Sequence, residues 1–432
     1  MNPEFHASRR ACAAAGQPIS QLMARALANP ALISLAAGFV DGQTLPDDAV
    51  RQAMTSLLQD SPSAAAALQY GSTPGYHGLR RMLRDQMHQA DGQDRPVDLD
   101  QIVITAGSNQ LLHLVSESLL EPGDIVLCAS PTYLVYMGML LGLEARAFGV
   151  ASDAQGMIPE ALDDQLRRIQ AGGELQRVKA IYLVPYFDNP AGATMPMDRR
   201  VAVVETAKRW SQGNPIHVIS DEAYRELRYV GQDIPSPRVC DDSGDTVIVA
   251  GTFSKSFSPG IRVGWGVLPR HLVQPVCDLK GNVDFGSPNF TQHLMARVLQ
   301  LGLYEPHIAG LRESYHRKLT AMLDAADEFL SPLDDVRWER PTGGLYVWLE
   351  LPDTVDAGLD GPLFQLSIQE GVLYVPGQYC YPEEGEPPQK NRIRLSFGVQ
   401  SCEKIREGVE KLARAIAAVT VETGRLEGQP GS

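Results

Sequence analysis

The amino-acid sequence predicts an α/β fold, with a three-layer αβα large domain built on a mostly parallel sheet and a smaller α+β domain after it. In the middle of the chain, short continuous apolar runs alternate with helical patterns, as in a parallel sheet covered by helices on both faces. After a long helical stretch at 303–330, strand and helix patterns follow in mixed order. A chain of 432 residues is also long enough for two or three domains.

The individual elements follow from these patterns in chain order. Apolar runs predict strands of the large sheet at 102–105, 125–128, 180–184, 217–220, 246–250 and 262–267. Helical periodicity predicts helices at 111–120, 133–143 and 197–210. Later in the chain, the patterns predict strands at 336–339, 345–349, 372–375 and 392–397, and helices at 363–369 and 402–419. We therefore expect a large domain at 46–305, a small domain at 306–432, and an N-terminal segment 1–45 that packs on the small domain or on a partner subunit.

Composition excludes several classes of function. Lys and Arg total 38 against 52 Asp and Glu, so the formal net charge is −14. A nucleic-acid-binding surface needs clustered cations, and we expect none here. No stretch approaches the ~18 uninterrupted apolar residues of a membrane span. The six cysteines are scattered without a CxxC pair or a zinc spacing, so we expect reduced thiols, no metal site and a soluble cytoplasmic protein.

Only eight of the basic residues are lysines, which leaves few places for chemistry that needs an amine. Lys255 follows the predicted strand 246–250, in a loop that also carries Thr252, Ser254 and Arg262, at the sheet edge where α/β proteins bind ligands. Hydroxyls and an arginine suit a phosphate, and a lysine beside them can form a Schiff base with a phosphorylated aldehyde. A phosphate-binding loop without a covalent role is the alternative. We expect the other seven lysines in ordinary polar surface settings.

Two further strand ends carry polar side chains. Asp221 follows strand 217–220, where a carboxylate can hold the protonated nitrogen of a pyridine ring and keep that ring an electron sink. A helix N-cap is the plainer interpretation of Asp221. Tyr224 can hydrogen-bond the ring's phenolic oxygen. Asn189, after strand 180–184, can donate to the same oxygen or simply mark a turn.

Small residues connect strand 102–105 to the next helix. Backbone N–H groups at Ser108 and Asn109 can face an anion there, although many strand-to-helix turns look the same. The segment matches neither GxGxxG nor GxxxxGK[ST], which disfavours a dinucleotide or a nucleoside triphosphate. Tyr133, after strand 125–128, can stack on a planar ring or pack in the core.

Arg392 and Arg394 stand at positions i and i+2 of one predicted strand, and so on one face of it. One of them can bind a carboxylate through two hydrogen bonds. A solvated pair at a sheet edge is the alternative.

Together and in this order, the motifs resemble those of the fold-type I pyridoxal-phosphate enzymes, in particular the class I and II aminotransferases. Within these, the chain is similar to the branch that contains 2-aminoadipate and aromatic aminotransferases and the catalytic domains of MocR-type regulators. The similarity runs from about residue 33 to the last helix. Its most specific segments are 189–192, 221–224, 254–262, 343–348 and 394–397.

The resemblance implies a pyridoxal 5′-phosphate cofactor and assigns the catalytic roles. Lys255 would form the Schiff base and then move the proton, with Asp221 and Tyr224 as the other catalytic residues. Asp221 would pair with the ring nitrogen, and Asn189 and Tyr224 would hold the phenolic oxygen. Arg394 would bind the substrate α-carboxylate, with Gly38 and Asn189 beside it.

The resemblance also implies the remaining cofactor contacts and a homodimer with shared active sites. Tyr133 would stack on the ring, and Tyr70 would reach the phosphate in the neighbouring subunit. The residues that would bind the phosphate within one subunit are Ser108, Asn109, Thr252, Ser254 and Arg262.

The implied activity is transfer of an amino group from an L-amino acid to a 2-oxo acid such as 2-oxoglutarate or pyruvate. A pyridoxal-phosphate-dependent lyase, cyclase or oxidase is the alternative, because the same scaffold hosts these reactions. A ligand-sensing regulatory module is disfavoured, since the domain begins almost at residue 1 and the net charge is −14. The donor is not specified by the sequence, and Arg25, Arg392 and Tyr70 are the candidates for recognising its side chain.

Two segments depart from the family pattern. Residues 36–46 lack the usual proline-bearing form that ends in phenylalanine, and Asn109 stands where glutamine is commoner. An acidic, proline-rich insert at 379–390 precedes Arg394 and is predicted to form a lid. These departures bear on the substrate more than on the cofactor.

Overall fold

The computed structural model describes residues 6–13, 29, 31–92 and 97–427, with side chains as far as residue 420. It confirms the predicted fold class, because a large, mostly parallel sheet lies among helices and a second, smaller sheet follows it in the chain. None of the described helices is both long and apolar enough to cross a membrane.

Helices and strands alternate through the first two thirds of the described chain. In chain order the helices are α1 (Arg9–Ala13), α2 (Asp47–Gln59), α3 (Ser61–Leu68), α4 (His77–Asp91), α5 (Ser108–Leu119), α6 (Leu134–Gly142), α7 (Pro159–Ala171), α8 (Met197–Trp210), α9 (Arg270–Asp284), α10 (Asn289–Gln300), α11 (Tyr304–Phe329), α12 (Pro362–Glu370) and α13 (Cys402–Glu427). The strands are β1 (Ile33–Ser34), β2 (Ile102–Thr105), β3 (Ile125–Ser130), β4 (Arg146–Asp153), β5 (Gly156–Met157), β6 (Val178–Leu183), β7 (His217–Asp221), β8 (Val247–Thr252), β9 (Gly264–Val267), β10 (Arg337–Trp338), β11 (Tyr346–Glu350), β12 (Val372–Leu373), β13 (Val375–Pro376), β14 (Glu384–Gly385) and β15 (Arg392–Ser396).

Within the described residues the large sheet has the strand order β14-β4-β3-β6-β7-β8-β9-β2, with β5 paired to β4. Along that order only β9 runs opposite to its neighbours. Every residue of β2, β3, β7 and β8 is buried, which accounts for their continuous apolar runs. Helix α5 packs against β2 and β8, α8 packs against β7, and α7 packs against β4, and these helices exclude water from the sheet.

The parallel strands place the site. Because β2, β6, β7 and β8 point the same way, the loops that follow them meet at one edge of the sheet. Those loops begin at Ala106, Val184, Glu222 and Phe253, and they carry most of the polar residues singled out by the sequence.

The smaller sheet is antiparallel, in the order β10-β11-β15-β13. The N-terminal stretch forms a separate two-stranded parallel sheet, in which β1 pairs with β12, and the N–H of Leu35 donates to the carbonyl of Leu373 at 2.8 Å. Residues 36–41 then continue along this side of the molecule towards the edge of the large sheet. Long-range pairing, rather than neighbouring sequence, therefore builds this side.

The insert at 379–390 differs from its prediction. Its residues Glu384 and Gly385 form β14, which extends the large sheet by pairing in parallel with β4. The guanidinium of Arg146 on β4 binds both carboxylate oxygens of Glu384, at 2.8 and 2.7 Å. This part of the insert is an edge strand held by backbone and ionic contacts, rather than a free lid.

Candidate active site

A cavity of about 350 Å³ lies between the strand ends of the large sheet and the side formed by residues 36–41 and the smaller sheet. Twelve of the thirteen residues that the sequence nominated for the site line it. They are Gly38, Ser108, Asn109, Tyr133, Asn189, Asp221, Tyr224, Thr252, Ser254, Lys255, Arg262 and Arg394. The fold therefore gathers motifs that are separated by more than 350 positions in the sequence.

Lys255 lies in the loop after β8, and its amine reaches across the cavity. Its Nζ donates a hydrogen bond to the carbonyl oxygen of Gly38 at 2.7 Å. The loop itself is ordered by hydroxyls, because Thr252 Oγ1 donates to Ser254 Oγ at 2.9 Å and accepts from the Ser254 N–H at 3.1 Å. The amine is thus held at the cavity wall by a contact that a ligand can replace.

One end of the cavity is suited to an anion. Gly107, with φ of +89°, precedes Ser108 at the start of α5. The guanidinium of Arg262 lies against this turn and donates to the carbonyl of Ala106 at 2.9 Å. A Cβ at Gly107 would stand 2.8 Å from Arg262 Nη2, so only glycine permits this approach. A helix N-terminus, a guanidinium and the nearby hydroxyls together fit a phosphate.

A buried carboxylate lies elsewhere in the same cavity. Asp221 is 5% exposed, and its Oδ2 accepts from the hydroxyl of Tyr182 at 3.0 Å. Its Oδ1 accepts from the N–H of Ala223 at 3.2 Å. Burial raises the pKa of Asp221 to about 6. A cation bound beside it, such as a protonated pyridine nitrogen, would stabilise the ionised form. The donor set of the cavity therefore fits pyridoxal phosphate at both of its polar ends.

Asn189, Tyr224 and Arg394 form a connected group of hydrogen bonds. Asn189 Nδ2 donates to the Tyr224 hydroxyl at 3.4 Å, and Arg394 Nη1 donates to Asn189 Oδ1 at 2.8 Å. Arg394 Nη2 donates to the carbonyl of Ala36 at 2.8 Å. Arg394 is only 2% exposed, and its Nε is buried without a hydrogen-bond partner among the described residues. An unpaired buried donor is costly, and a carboxylate is the ligand that would satisfy it.

Tyr133 immediately precedes α6, and its ring lines the cavity. Burial raises its pKa well above the ordinary range, and a hydrogen bond with Asn109 acts in the opposite direction. The phenol therefore stays neutral, which suits a ring that packs flat against a ligand.

The sequence did not single out three residues that contribute to this site. Tyr182 supports Asp221 from the neighbouring strand, and the only signal for it was one tyrosine in an apolar strand. Phe39 lines the cavity and is 58% exposed, within a segment recognised only as a departure. Tyr346 also lines the cavity, and its hydroxyl lies 3.2 Å from that of Tyr224. Segment 343–348 matched the family pattern, but nothing in it showed which side chain faces the site.

Tyr70, the thirteenth of these residues, and Arg392, a candidate for recognising the donor side chain, do not line this cavity. Tyr70 is 80% exposed, and its ring meets that of Phe285 edge-on at 5.5 Å. Arg392 forms an ion pair with Glu350 and lines a separate cavity of about 210 Å³. Arg25 lies outside the described residues.

Two lysines differ from their expected surface setting. Lys280 is fully buried and pairs with Asp284 at 2.8 Å. Lys318 is 6% exposed and pairs with Asp41 at 2.8 Å. The expectation was wrong for both, because each amine is neutralised by a carboxylate inside the protein. Neither lines the cavity around Lys255.

A family model and several known proteins are similar to this chain over most of its length. The model of the family described as "Aminotransferase class I and II" matches residues 30–412. The chain is 34% identical to aromatic-amino-acid aminotransferase 1 of Thermococcus litoralis, over 89% of this chain and 88% of that protein. It is 31% identical to 2-aminoadipate transaminase of Thermus thermophilus, over 90% of each chain.

A solved structure has a similar fold. The crystal structure of Pyrococcus horikoshii kynurenine aminotransferase, in complex with PMP, superposes with a TM-score of 0.88 at 33% identity. The match covers 96% of this chain and 97% of that one.

Proposed function

The chain belongs to the aminotransferase class I and II family and is a transaminase, and from this we propose that Lys255 carries the amino group and proton transfer on bound pyridoxal phosphate. The observation that supports this most directly is the position of its amine. Nζ lies in one cavity with an anion site at Arg262, a buried carboxylate at Asp221 and a buried guanidinium at Arg394.

When bound, pyridoxal phosphate supplies an aldehyde that bonds covalently to amines and a ring that accepts electrons from the substrate Cα. Residues of this chain hold it at its phosphate, at its ring nitrogen, at its ring oxygen and on the face of its ring. The N-terminus of α5 at Ser108, with Asn109 beside it, and the guanidinium of Arg262 bind the phosphate, with Thr252 and Ser254 lining the same cavity. Asp221 holds the proton on the ring nitrogen. These two ends fix the ring along the cavity.

The remaining contacts direct the chemistry. Asn189 and Tyr224 donate to the ring oxygen, and Tyr133 stacks on the ring. Arg394 binds the α-carboxylate of the amino acid. With the cofactor bound, the Nζ of Lys255 would take the proton from the Cα of the donor amino acid and, in the reverse half-reaction, would return a proton to the Cα of the new amino acid.

We propose a donor with a large apolar or aromatic side chain. Within the described residues, the cations that line the cavity are Lys255, Arg262 and Arg394, and each already has a role. None of these remains for a second carboxylate. Four further residues that line the cavity are apolar, namely Phe39, Leu134, Val135 and Val184. The relatives named for aromatic amino acids and kynurenine are consistent with this preference.

We also propose a homodimer in which Tyr70 completes the partner's site. Tyr70 is 80% exposed and does not line the cavity of its own subunit, and its ring contacts the exposed Phe285. Leu68, Val283 and Phe285 are 71%, 63% and 61% exposed. A second copy of this chain would cover them.

The test uses protein reconstituted with pyridoxal phosphate. The wild-type protein should show the visible absorption of a lysine-bound cofactor. Phenylalanine or tyrosine, added without a 2-oxo acid, should remove this absorption and release the matching 2-oxo acid, whereas aspartate should do so poorly. Lys255→Ala should abolish the absorption and lower turnover at least ~10²- to 10⁴-fold, the range that a positioned acid–base group supplies.

The matched control is Lys390→Ala, because Lys390 is an exposed lysine paired with Asp356 on the surface. It should leave absorption and turnover unchanged. Full turnover in Lys255→Ala would overturn the assignment of the lysine. Ammonia release or oxygen uptake in place of amino transfer would instead support a lyase or an oxidase.

A further inference from the structure

Tyr346, on β11 of the smaller sheet, touches two parts of the site at once. Its side chain is buried, with the residue 2% exposed. Its hydroxyl oxygen lies 3.2 Å from the hydroxyl oxygen of Tyr224. The guanidinium carbon of Arg394 lies 4.4 Å from the centre of its ring. The same side chain therefore contacts a residue of the cofactor side and the residue that binds the substrate carboxylate.

The hydroxyl of Tyr224 has a limited set of hydrogen bonds to make. It already accepts one from Asn189 Nδ2 at 3.4 Å. Burial raises the pKa of Tyr224 well above its ordinary value, so the phenol keeps its proton. If Tyr224 gave that proton to Tyr346, it would have none for a ligand. With Tyr346 as the donor, the proton of Tyr224 is free to point into the cavity.

Contacts with Gly38 and Arg394 hold the side chain of Tyr346 in this position. A Cβ at Gly38 would stand 2.6 Å from the Tyr346 hydroxyl oxygen, so the phenol presses against this glycine. Gly38 is also the residue whose carbonyl accepts from Lys255. The ring is fixed on its other side by Arg394, which is itself tied to Asn189 and to the carbonyl of Ala36.

We propose that Tyr346 is a positioning residue with two separable functions. Its hydroxyl donates to Tyr224 and thereby directs the Tyr224 proton to the ring oxygen of the cofactor. Its aromatic face holds the guanidinium of Arg394 in place for the substrate carboxylate. This proposal rests on the function proposed above, and it assigns to the smaller sheet an influence on both halves of the reaction.

The first test removes the hydroxyl and keeps the ring, through Tyr346→Phe in the holoenzyme. The readout is the pKa of the visible absorption of the lysine-bound cofactor, measured by spectrophotometric titration without substrate. A hydrogen bond to the anionic ring oxygen favours the deprotonated chromophore, so weakening that bond raises the pKa. We expect a rise of roughly half a pH unit, in the same direction as Tyr224→Phe and smaller.

The double variant tests whether the effect passes through Tyr224. In Tyr224→Phe/Tyr346→Phe the second change should add no further shift, because the residue through which it acts is gone. The other titratable groups whose charges act on Tyr224 are Tyr133 and Arg394, and all of these variants retain both. A matched control is Tyr374→Phe, which removes a buried hydroxyl that donates to Ala357 at 3.0 Å outside the cavity. It should leave the chromophore pKa unchanged.

The second test removes the ring as well, through Tyr346→Leu. Loss of the aromatic face should raise KM for the amino acid by roughly 2- to 30-fold, the range of a cation–π contact. Tyr346→Phe should leave KM close to the wild-type value, because the ring remains. This split between chromophore pKa and KM distinguishes positioning from a general loss of structure.

The outcomes separate the two proposals. The test of Tyr346 applies once the wild-type protein binds the cofactor and its chromophore titrates. The inference about Tyr346 is then wrong if Tyr346→Phe leaves the chromophore pKa unchanged. It is also wrong if Tyr346→Phe shifts this pKa equally in the Tyr224→Phe background. An unchanged KM in Tyr346→Leu contradicts the function of the ring. If the wild-type protein forms no lysine-bound chromophore at all, the failure belongs to the proposed function instead.

Discussion

The two walls of the cavity are built in different ways. The cofactor wall comes from the large sheet, where Asn189, Asp221 and Lys255 each lie within a few residues of the end of a strand. The substrate wall consists of residues 36–41 and the smaller sheet, and it depends on contacts between distant parts of the chain. The bond from Arg394 to Ala36, for instance, joins residues 358 positions apart. The first wall is assembled by local structure and the second by tertiary contacts.

Electrostatics reinforce this difference. The cofactor wall contains a buried acid, Asp221, to which no cationic side chain of the described residues is bonded. The substrate wall is fastened by a buried ion pair within the protein, between Lys318 and Asp41. Lys318 on α11 donates to Asp41 at 2.8 Å and to the carbonyl of Gly398 at 3.2 Å. A ligand is thus expected to stabilise the first wall, whereas the second is stabilised by its own ion pair.

The largest predicted effect comes from removing the amine that fastens the substrate wall. Lys318→Met leaves the carboxylate of Asp41 buried without its partner, which should lower the free energy of unfolding by about 3–5 kcal/mol. KM for the amino acid should rise, because residues 36–41 lose their anchor. The chromophore pKa should stay the same, because the cofactor wall is untouched. Urea unfolding, steady-state kinetics and spectrophotometric titration of the holoenzyme measure the three quantities.

Lys404→Met is the control for this prediction. Lys404 pairs with Glu407 on the surface of α13, so its loss should cost less than about 1 kcal/mol. If Lys318→Met abolished cofactor binding as readily as it weakened substrate binding, the two walls would not be independent.

The same contrast explains which parts of the molecule could be predicted from the sequence. A polar residue at the end of an apolar run is a local signal, and it located Asp221 and Lys255. Strand 102–105 and helix 197–210 were predicted with their observed limits. Tyr346 carried no such signal, because its function depends on Tyr224 and Arg394, which lie 122 and 48 positions away.

The local sequence pattern also gave no sign of which charged side chains are buried. Lys318 looked like a surface residue because its partner, Asp41, lies 277 positions earlier in the chain. Strand β4 was not predicted, since several of its residues are partly exposed and it begins with Arg146. The two-residue strand β14 exists only because β4 offers it an edge, so no pattern within the insert could predict it.

The next prediction concerns the cofactor wall and the stability of the cofactor-free protein. Asp221 has a pKa raised to about 6 by burial, against 3.8 for the free side chain. Above pH 6 the unfolded chain and the folded protein are both ionised, but only the folded protein bears the cost of a buried charge. A pKa difference of about two corresponds to about 3 kcal/mol. Asp221→Asn should therefore be more stable than wild type above pH 6, by up to about 3 kcal/mol.

This advantage should shrink as the pH falls from about 6 and vanish below about 4, where Asp221 is protonated in both states. Cofactor affinity should fall in the same variant, since the ring nitrogen loses its carboxylate.

Asp188→Asn is the matched comparison. Burial raises the pKa of Asp188 to about 8, and this residue lines the neighbouring cavity instead. Asp188→Asn should stabilise the protein over a wider pH range than Asp221→Asn does, without changing cofactor affinity. Denaturant unfolding at several pH values measures the stability of both variants, and equilibrium binding measures their affinity for the cofactor.

The smallest effect is expected at the edge of the large sheet, where the insert pairs with β4. Arg146 on β4 binds Glu384 of β14 through two hydrogen bonds and Glu174 through a third at 2.7 Å. These ionic contacts raise the pKa of Arg146 and hold the insert against the large sheet. The site is partly exposed, so Arg146→Ala should cost about 1 kcal/mol of stability.

Arg146→Ala tests the comparison between the two walls, because the insert that Arg146 holds leads directly into β15 and Arg394. Faster hydrogen exchange at residues 384–385 and a modest rise in KM are expected, with the chromophore pKa unchanged. Arg167→Ala, which removes comparable surface pairs with Asp163 and Asp164 on α7, should alter none of the kinetic values. If Arg146→Ala shifted the chromophore pKa and left KM alone, the insert would support the cofactor wall rather than the position of Arg394.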